Sequence, residues 1–234
     1  ASMMETLTRN YNYRAPSAKL FELGTVYIPV EGETLPFETD RLTMGMYGSV
    51  DFYDIKGAVE DLLVGMNVKK VHFKPETENP TFHPGRTALV YAGDRKLGIL
   101  GELHPNVLGA YGLPVRAYVA ELDFVEILAA VDREKQYKPL PKYPAVTRDI
   151  ALLVDEPVPV GELEEAITAA AGNLLEEIRL FDVYRGEQVA QGKKSVAFAL
   201  VLRSSDHTLG EEEINAVMKN ILEKLEKQTG ALLR

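Results

Sequence analysis

The sequence predicts an α+β fold in two domains, and three observations lead to that prediction. Of the 234 residues, 46% are hydrophobic and 26% are charged, which is enough apolar material for one large or two modest cores. Alternating apolar and polar residues, the period of half-buried strands, recur along the chain with amphipathic helical segments between them. Residues 132–144 are polar, contain three prolines and show neither period, so we interpret them as a linker between the domains.

The first domain, residues 1–131, is predicted to be an antiparallel sheet decorated with helices. Turn signals are dense, and Gly93 and Asp94 make a hairpin turn between two alternating runs. We expect strands over 19–30, 37–47, 71–74, 87–92, 97–103 and 117–123, and helices over 3–11 and 54–66. The first helix has no preceding partner, which predicts a chain that begins inside a domain and an N-terminally truncated core with uncovered apolar surface.

The second domain, residues 145–234, shows a simpler pattern. We expect strands over 148–154, 178–184, 195–203 and 231–233, with helices over 160–171 and from 208 to a stop at Gly230. The order of strand, helix, strand, strand, helix, strand is the ferredoxin-like arrangement. Two helices cover one face of such a sheet, and the open face is a recurrent platform for RNA bases, small ligands or a partner domain.

Composition excludes several classes of protein. No apolar run approaches the roughly 18 residues of a membrane helix, so no membrane association is expected. The chain has no cysteine, which excludes disulfides and thiolate metal sites and fits a reducing compartment, so we expect a cytoplasmic location. The net charge of −9 argues against bulk attraction to DNA or RNA, although a local RNA site stays open.

Two histidines precede prolines, His83 in the segment HPGR and His104 in the segment GELHP. If their strand ends met with Glu102 nearby, the group would resemble a zinc site. The paired helical spacing of histidine metal motifs is absent, so we expect no metal. We interpret both residues as turn residues whose imidazoles cap strand ends.

No motif identifies a catalytic nucleophile or a nucleotide-binding loop. No serine lies in the Gly-x-Ser-x-Gly context of a nucleophile elbow. The glycine pairs Gly45/Gly48 and Gly98/Gly101 are not followed by the helix start that a phosphate loop requires, and we interpret them as turns.

The segment 181–186, FDVYRG, is more informative. On a strand, Asp182 and Tyr184 project to the same side. A carboxylate accepts two hydrogen bonds from the Watson–Crick edge of guanine and a phenol ring stacks on a base, so the pair forms a guanine reader to which Ser195 adds a polar contact. The competing interpretation is a surface aspartate and a half-buried tyrosine on an ordinary sheet.

Several segments together resemble a known family. In the second domain they are YPAVTRDI at 143–150, FDVY at 181–184, GKKS at 192–195 and RSSDHTL at 203–209. They are similar to the ferredoxin-fold anticodon-binding domain that ends the beta subunits of bacterial phenylalanyl-tRNA synthetases. Upstream, LFELG at 20–24, DFYDIKG at 51–57, HPGR at 83–86 and GELHP at 101–105 resemble the class II synthetase-core-like module before that domain.

The resemblance implies a fragment without catalytic residues of its own. In the family the alpha subunit activates phenylalanine with ATP and magnesium, while the beta module supports assembly. Phe21 and Glu22 stand where a catalytic version would have an Arg and Glu pair, and no Gly-x-Gly-x-x-Arg signature is present. The implied partners are the alpha subunit and phenylalanine tRNA, with no cofactor on this fragment.

The resemblance also implies that Asp182, Tyr184 and Ser195 meet the first anticodon base, a guanine in phenylalanine tRNA. Basic residues around that face are candidates for the RNA phosphates. They are Arg148, Arg179, Arg185, Lys193, Lys194 and Arg203.

Two other functions compete with tRNA recognition and assembly. One is an independently active ligase or hydrolase domain that uses His83, Arg86, Glu102 and His104. The other is a small-molecule regulatory domain of the ferredoxin-like kind.

Overall fold

The computed structural model describes residues 1–134, 137 and 139–234. The chain forms two compact units, residues 1–136 and 137–234. The division falls inside the interpreted linker, 132–144, of which residues 135, 136 and 138 lie outside the described residues. Among the described helices, none combines the length and apolar character that crossing a bilayer requires.

The first domain is built on one antiparallel sheet of six strands in the order β1-β2-β6-β5-β4-β3. The strands are β1 (Ala18–Ile28), β2 (Phe37–Tyr47), β3 (Val71–Pro75), β4 (Phe82–Ala92), β5 (Arg95–Leu103) and β6 (Ala117–Asp123). The helices are α1 (Ser2–Asn12), α2 (Phe52–Gly65), α3 (Pro105–Tyr111) and α4 (Phe124–Ala130). The sequence pattern missed α3 and α4 because seven residues are too few to show a helical period.

Helices cover both faces of this sheet. One face packs Ile55, Val59 and Leu63 of α2 and Ile127 of α4 into the main core. α2 begins at a capping box, because Asp51 accepts the N–H groups of Tyr53 and Asp54 while the Asp54 carboxylate accepts the N–H of Asp51. The pKa of Asp54 is lowered first by that backbone N–H and further by Lys19.

The other face is covered by α1 and α3. Met3, Met4 and Leu7 of α1 are buried with Tyr47 of β2, so this helix packs against a strand that follows it in the chain. Apolar side chains of the edge strand β1 and of its hairpin with β2 nevertheless stay exposed. They include Phe21, Leu23, Tyr27, Ile28, Leu35 and Phe37.

The interpretation of Gly45, Gly98 and Gly101 as turn residues is wrong, because all three lie inside strands. A Cβ at Gly98 would lie 2.2 Å from the carbonyl oxygen of Glu121 on β6, and one at Gly45 would lie 2.7 Å from Met3 of α1. These glycines therefore permit close approach of neighbouring elements. Gly48 does follow the end of β2 and has a φ of +114°.

The second domain is a four-stranded antiparallel sheet in the order β10-β7-β9-β8 with two helices packed on it. Its elements are β7 (Val146–Asp155), α5 (Val160–Ala171), a 3₁₀ turn (Gly172–Leu174), β8 (Leu175–Tyr184), β9 (Lys193–Leu202), α6 (Glu211–Thr229) and β10 (Leu232–Leu233). The chain order of these elements is the predicted βαββαβ. The core between sheet and helices includes Leu152, Leu163, Phe198 and Ile221.

Helix α6 begins at Glu211 rather than at the predicted residue 208. Gly210 is its N-cap, and the Glu213 carboxylate accepts the N–H of Gly210 at 3.0 Å. The same carboxylate lies 2.9 Å from Nε2 of His207. These two contacts, the backbone bond first, lower the pKa of Glu213. His207 therefore supports the start of the helix.

We expect Gly98→Ala to destabilise the first domain by about 1 to 3 kcal/mol, the usual cost of overpacking, because the added methyl meets backbone that cannot rotate away. Chemical denaturation of the 234-residue chain would measure the loss. Hydrogen exchange would locate it in β5 and β6.

Gly57→Ala is the matched control, because a Cβ at this α2 position meets no atom within 4 Å. This change should raise the free energy of unfolding by about 0.5 to 1 kcal/mol through helix propensity. Equal effects of the two substitutions would contradict the close-approach explanation.

Candidate nucleic-acid interface

The two faces of the second sheet differ because of the residues along β9. Val196, Phe198 and Leu200 alternate into the core beneath α5 and α6. Ser195, Ala197 and Ala199 point to the other face, which no described helix of this domain covers. Methyl and hydroxymethyl groups rise little above the paired backbone, so the middle of this open face is a shallow floor.

Asp182 and Tyr184 stand on β8 at the border of that floor. Asp182 pairs with Ala197 and Tyr184 pairs with Ser195, while Val183 between them faces Val196 in the core. Asp182 and Tyr184 are both exposed. A carboxylate and a phenol are therefore displayed side by side on the open face.

Gly186 leaves the space in which the phenol of Tyr184 lies. A Cβ at Gly186 would come within 2.2 Å of the Tyr184 hydroxyl oxygen and 2.4 Å of its Cζ. The ring therefore occupies the space that any other residue at this position would need. The residue pattern of the segment FDVYRG does not predict this role, because it depends on where the Tyr184 ring lies.

Ser195 is only 5% exposed, although it faces away from the helices. Nη1 of Arg234 approaches its Oγ at 3.4 Å, and Nη2 of Arg234 donates to Oε1 of Gln188 at 3.1 Å. The Arg234 guanidinium also lies 5.8 Å from the centroid of the Tyr184 ring. The predicted contact residue is thus screened by an arginine that the sequence analysis missed.

Strand pairing explains how Arg234 reaches this place. β10 pairs with β7, and the N–H of Arg234 donates to the carbonyl of Ala151 at 2.8 Å. From this edge its side chain extends across the open face to β9. A two-residue strand next to a lone arginine carries no sequence signal that would have predicted the contact.

A bulge in β8 brings Arg179 to the same face. Leu180 pairs with Phe198 and Asp182 with Ala197, so Phe181 is an extra residue on this strand. Arg179 consequently pairs with Ala199 and lies on the open face with Asp182. Without the bulge residue's shift, a side chain three positions before Asp182 would point to the other face of the sheet. Its position supports its candidacy for an RNA phosphate.

Three other basic candidates are already paired with acids. Nζ of Lys193 lies 2.7 Å from Asp155, Nε of Arg185 lies 2.7 Å from Glu156, and Nε of Arg203 lies 2.7 Å from Glu176. To bind an RNA phosphate, each of these basic side chains would have to leave its carboxylate partner.

The structure does not bring Arg148 and Lys194 to the open face. Arg148 pairs with Leu200 and shares its direction, toward the helices. Lys194 is 5% exposed, and its Nζ donates to the carbonyl of Glu156 at 2.9 Å. Burial lowers the pKa of Lys194, as is usual for an amine removed from water.

The histidine group of the first domain has local roles. Nδ1 of His83 accepts the N–H of Gly85 at 3.1 Å, and Nδ1 of His104 accepts the N–H of Asn106 at 3.2 Å at the start of α3. Each imidazole accepts the N–H two residues further along the chain, but His104 caps the start of α3 and His83 lies within β4, whereas the interpretation expected both to cap strand ends. Across residues 1–134, 137 and 139–234, no three His, Asp or Glu side chains are arranged to hold a metal ion.

Glu102 is nearly buried and neutralised. Nε of Arg86 lies 2.7 Å from Oε2 of Glu102, and the Tyr118 hydroxyl donates to the same oxygen at 3.1 Å. Burial, and then this bond, raise the pKa of Tyr118. Arg86 and Tyr118 thus occupy the buried carboxylate of Glu102. A general base would need a carboxylate that is open to a substrate.

Comparisons with known proteins agree with this architecture. Residues 1–124 match the family model described as the phenylalanyl tRNA synthetase beta chain CLM domain, and residues 141–234 match the ferredoxin-fold anticodon binding domain. The second match confirms the predicted ferredoxin-like fold.

Curated relatives cover the whole chain. The phenylalanine–tRNA ligase beta subunit of Clostridium acetobutylicum is 48% identical over 234 residues, and that of Clostridium tetani is 47% identical over 235 residues. In both cases the match covers 100% of this chain and 30% of the relative, so the chain spans under a third of their length.

Among solved structures, a pyrrolysyl tRNA synthetase of Desulfitobacterium hafniense aligns with a TM-score of 0.45 at 15% identity. The alignment covers 53% of this chain and 46% of that one, a likeness too low to support a conclusion. The family-model match is decisive by contrast, because it extends over more than half of the residues. The chain therefore belongs to the family of the phenylalanyl-tRNA synthetase beta chain CLM domain.

Proposed function

We propose that this chain recognises the anticodon of phenylalanine tRNA on the open sheet face of its second domain, within a phenylalanine–tRNA ligase. The observation that carries the proposal is the exposed pair Asp182 and Tyr184, displayed on one face beside the shallow floor of β9. The match of residues 141–234 to an anticodon-binding domain and the identity of the curated relatives support it.

The chemistry of the pair selects guanine. Guanine presents two adjacent donors, N1–H and the N2 amino group, and an ionised carboxylate such as Asp182 accepts both. Other standard bases lack this donor pair, so the carboxylate favours guanine at the first anticodon position. The Tyr184 ring contributes stacking, which is sequence-tolerant and worth about 1 to 3 kcal/mol per base.

Contacts to the RNA backbone are few in this proposal. Arg179 stands on the open face, while Lys193, Arg185 and Arg203 sit at its margins in exposed ion pairs. Exposed ion pairs contribute little to stability, so phosphates could replace the carboxylates at low cost. With a net charge of −9 on the chain, affinity depends on the base contacts and on these local cations.

The first domain has a structural role in the proposal, and its partner is the alpha subunit of the ligase. ATP and magnesium would act in the whole complex, and the described residues of this domain do not fit them. Glu102 is closed by Arg86 and Tyr118, and Glu22 on β1 accepts a hydrogen bond from Ser2. The expected location is the cytoplasm.

Neither competing function is favoured. An independent ligase or hydrolase would need His83, Arg86, Glu102 and His104 to face a substrate, but the imidazoles cap turns and the other two form an ion pair. A small-molecule regulatory domain would need a ligand-sized recess, whereas the open face has a shallow floor of small side chains. Calorimetry with free amino acids would test the second alternative directly.

We expect Asp182→Asn to weaken binding of an anticodon stem-loop of phenylalanine tRNA by about 1 to 3 kcal/mol, because an amide cannot accept both guanine donors. Fluorescence anisotropy with guanine, inosine or adenine at the first anticodon position would measure it. The variant should lose most of the preference for guanine over inosine, since inosine lacks the N2 amino group.

Glu177→Gln is the matched control for Asp182. Glu177 is an exposed carboxylate on the same strand and pairs with Val201 on the same face. This change should leave the preference for guanine intact. Equal losses by Asp182→Asn with every first base would contradict base reading, and absence of any preference in the unmodified chain would overturn the proposed function.

Gly186→Ala should weaken stem-loop binding about as much as Tyr184→Ala, by about 1 to 3 kcal/mol, because the new methyl displaces the ring. Stability should change little, since the displaced atoms are the free end of a side chain. Gly161→Ala, at an α5 position where a Cβ meets nothing within 4 Å, is the control. If Tyr184→Ala weakened binding and Gly186→Ala did not, the ring would not need this placement.

A further inference from the structure

The edge of the first sheet at β3 concentrates the free lysines of its domain. Residues 1–134 contain six lysines, of which Lys19 and Lys56 are ion-paired with Asp54 and Glu60. The other four lie before β3, within it and at the start of β5, and no described residue forms an ion pair with any of them. These four, the lysine edge, are Lys69, Lys70, Lys74 and Lys96, and all are exposed.

We propose that the lysine edge binds backbone phosphates of phenylalanine tRNA outside the anticodon arm. A tRNA exposes phosphates along its whole length, so the first domain can bind the same molecule whose anticodon the second domain recognises. The inference rests on the proposed function and adds an RNA contact to a domain that was given only a structural role.

Strand alternation places two of the lysines on one face. The residues on either side of His72 pack against the main core, so His72 and Lys74 point to the opposite face of the sheet. His72 pairs with Tyr91 of β4, and Tyr91 pairs with Lys96 of β5. Neighbouring strands are about 4.8 Å apart, so the row from His72 to Lys96 spans about 10 Å. Lys74 and Lys96 therefore border Tyr91 from two sides on one surface.

The contacts of Lys74 hold its ammonium group without neutralising it. Its Nζ lies 4.9 Å from the centroid of the Tyr91 ring. The His72 ring stacks on the same tyrosine, with centroids 5.4 Å apart and an angle of 13° between the planes. A ring attracts a cation through its quadrupole and carries no net charge. The positive charge of Lys74 is thus placed at the surface and stays available to an anion.

The backbone of Lys70 supplies an independent observation. Its φ is +55°, in the left-handed region where glycine is the unstrained residue. The carbonyl of Lys70 accepts the N–H of Gly93 at 3.0 Å, which ties this turn to the β4–β5 hairpin. A side chain kept where glycine would fit with less strain points to a role beyond the backbone.

The local charge fits a polyanion. Segments 69–76 and 91–96 contain five Lys and Arg residues and only two acids, Glu76 and Asp94, in a chain whose net charge is −9. Arg95 is already paired with Glu126 of α4, so the lysine edge supplies the free charge. Lysines bind phosphates by displacing counterions and need no base contact.

The partner that the observations favour is RNA rather than an acidic protein surface. The second domain, in the proposed function, already holds the anticodon arm of a tRNA. The remaining phosphates of that tRNA are then at a raised effective concentration for other sites on the same chain. Weak individual contacts at the lysine edge therefore suffice.

The test compares whole phenylalanine tRNA with its anticodon stem-loop, both bound by the 234-residue chain at several salt concentrations. We expect the whole tRNA to bind about tenfold more tightly or better at low salt. Lys70→Gly and Lys96→Ala should each weaken whole-tRNA binding about three- to tenfold. Each should also reduce the slope of log affinity against log salt by about one and leave the stem-loop affinity unchanged.

Three comparisons separate charge from folding. Lys70→Gly relieves the left-handed backbone, so its unfolding midpoint in denaturant should not fall although tRNA affinity does. Lys74→Arg keeps the charge and should retain both affinity and salt slope, whereas Lys74→Ala should lose both. Lys19→Ala is the matched control, since Lys19 is an exposed lysine on β1, at the opposite edge of the sheet, and should leave both affinities within about twofold.

Other outcomes overturn the inference in distinguishable ways. Equal losses for the stem-loop and the whole tRNA would show that the lysines act through the fold or the second domain. Unchanged tRNA affinity in Lys70→Gly and Lys96→Ala would assign the lysine edge to an acidic protein surface instead. If the unmodified chain binds both RNAs equally but prefers guanine in the stem-loop, the proposed function stands and this inference fails. If it binds neither RNA, both fail.

Discussion

The alternation of large and small side chains along β9 is the constraint on which the second domain depends. Large residues on one side, such as Phe198, hold α5 and α6 against the sheet. Small ones on the other, Ser195, Ala197 and Ala199, keep the opposite face shallow enough for flat ligands to lie on it. One strand thereby holds the helices on one face and keeps flat the other face, on which we propose that recognition takes place.

In the first domain the sheet is closely packed by its neighbouring elements, in contrast to the open face of the second. Helices pack on both faces of its sheet away from the edge strand β1, and glycines within β2 and β5 allow backbone and helix to approach more closely than any side chain would permit. The acidic Glu102 is held by Arg86 and Tyr118 rather than offered to a substrate. This pattern suits a scaffold whose groups satisfy one another.

Most of the fold could be predicted from periodicity, because long amphipathic elements such as α2, α5 and β9 carry several turns or alternations of signal. The orientation of Asp182 and Tyr184 could be predicted for the same reason, since two residues on a strand share a face. α3, α4 and the place of Arg234 could not be, because each depends on short elements or tertiary contacts. Arg148 and Lys194 were chosen as candidates for their charge, although strand alternation already predicts that not all six basic candidates can share one face.

The bulge at Phe181 gives β8 one residue more than its pairing with β9 requires. Removing Phe181 would place Leu180 directly before Asp182 in regular alternation, so Arg179 and Asp182 would keep their common face. A deletion among the regularly paired residues of the strand would instead turn the side chains before it to the opposite face, and a cation would be forced among the aliphatic groups under the helices. Loss of one residue should thus be tolerated at the bulge and not among those paired residues, and homologous chains with and without it can be aligned on both of its sides.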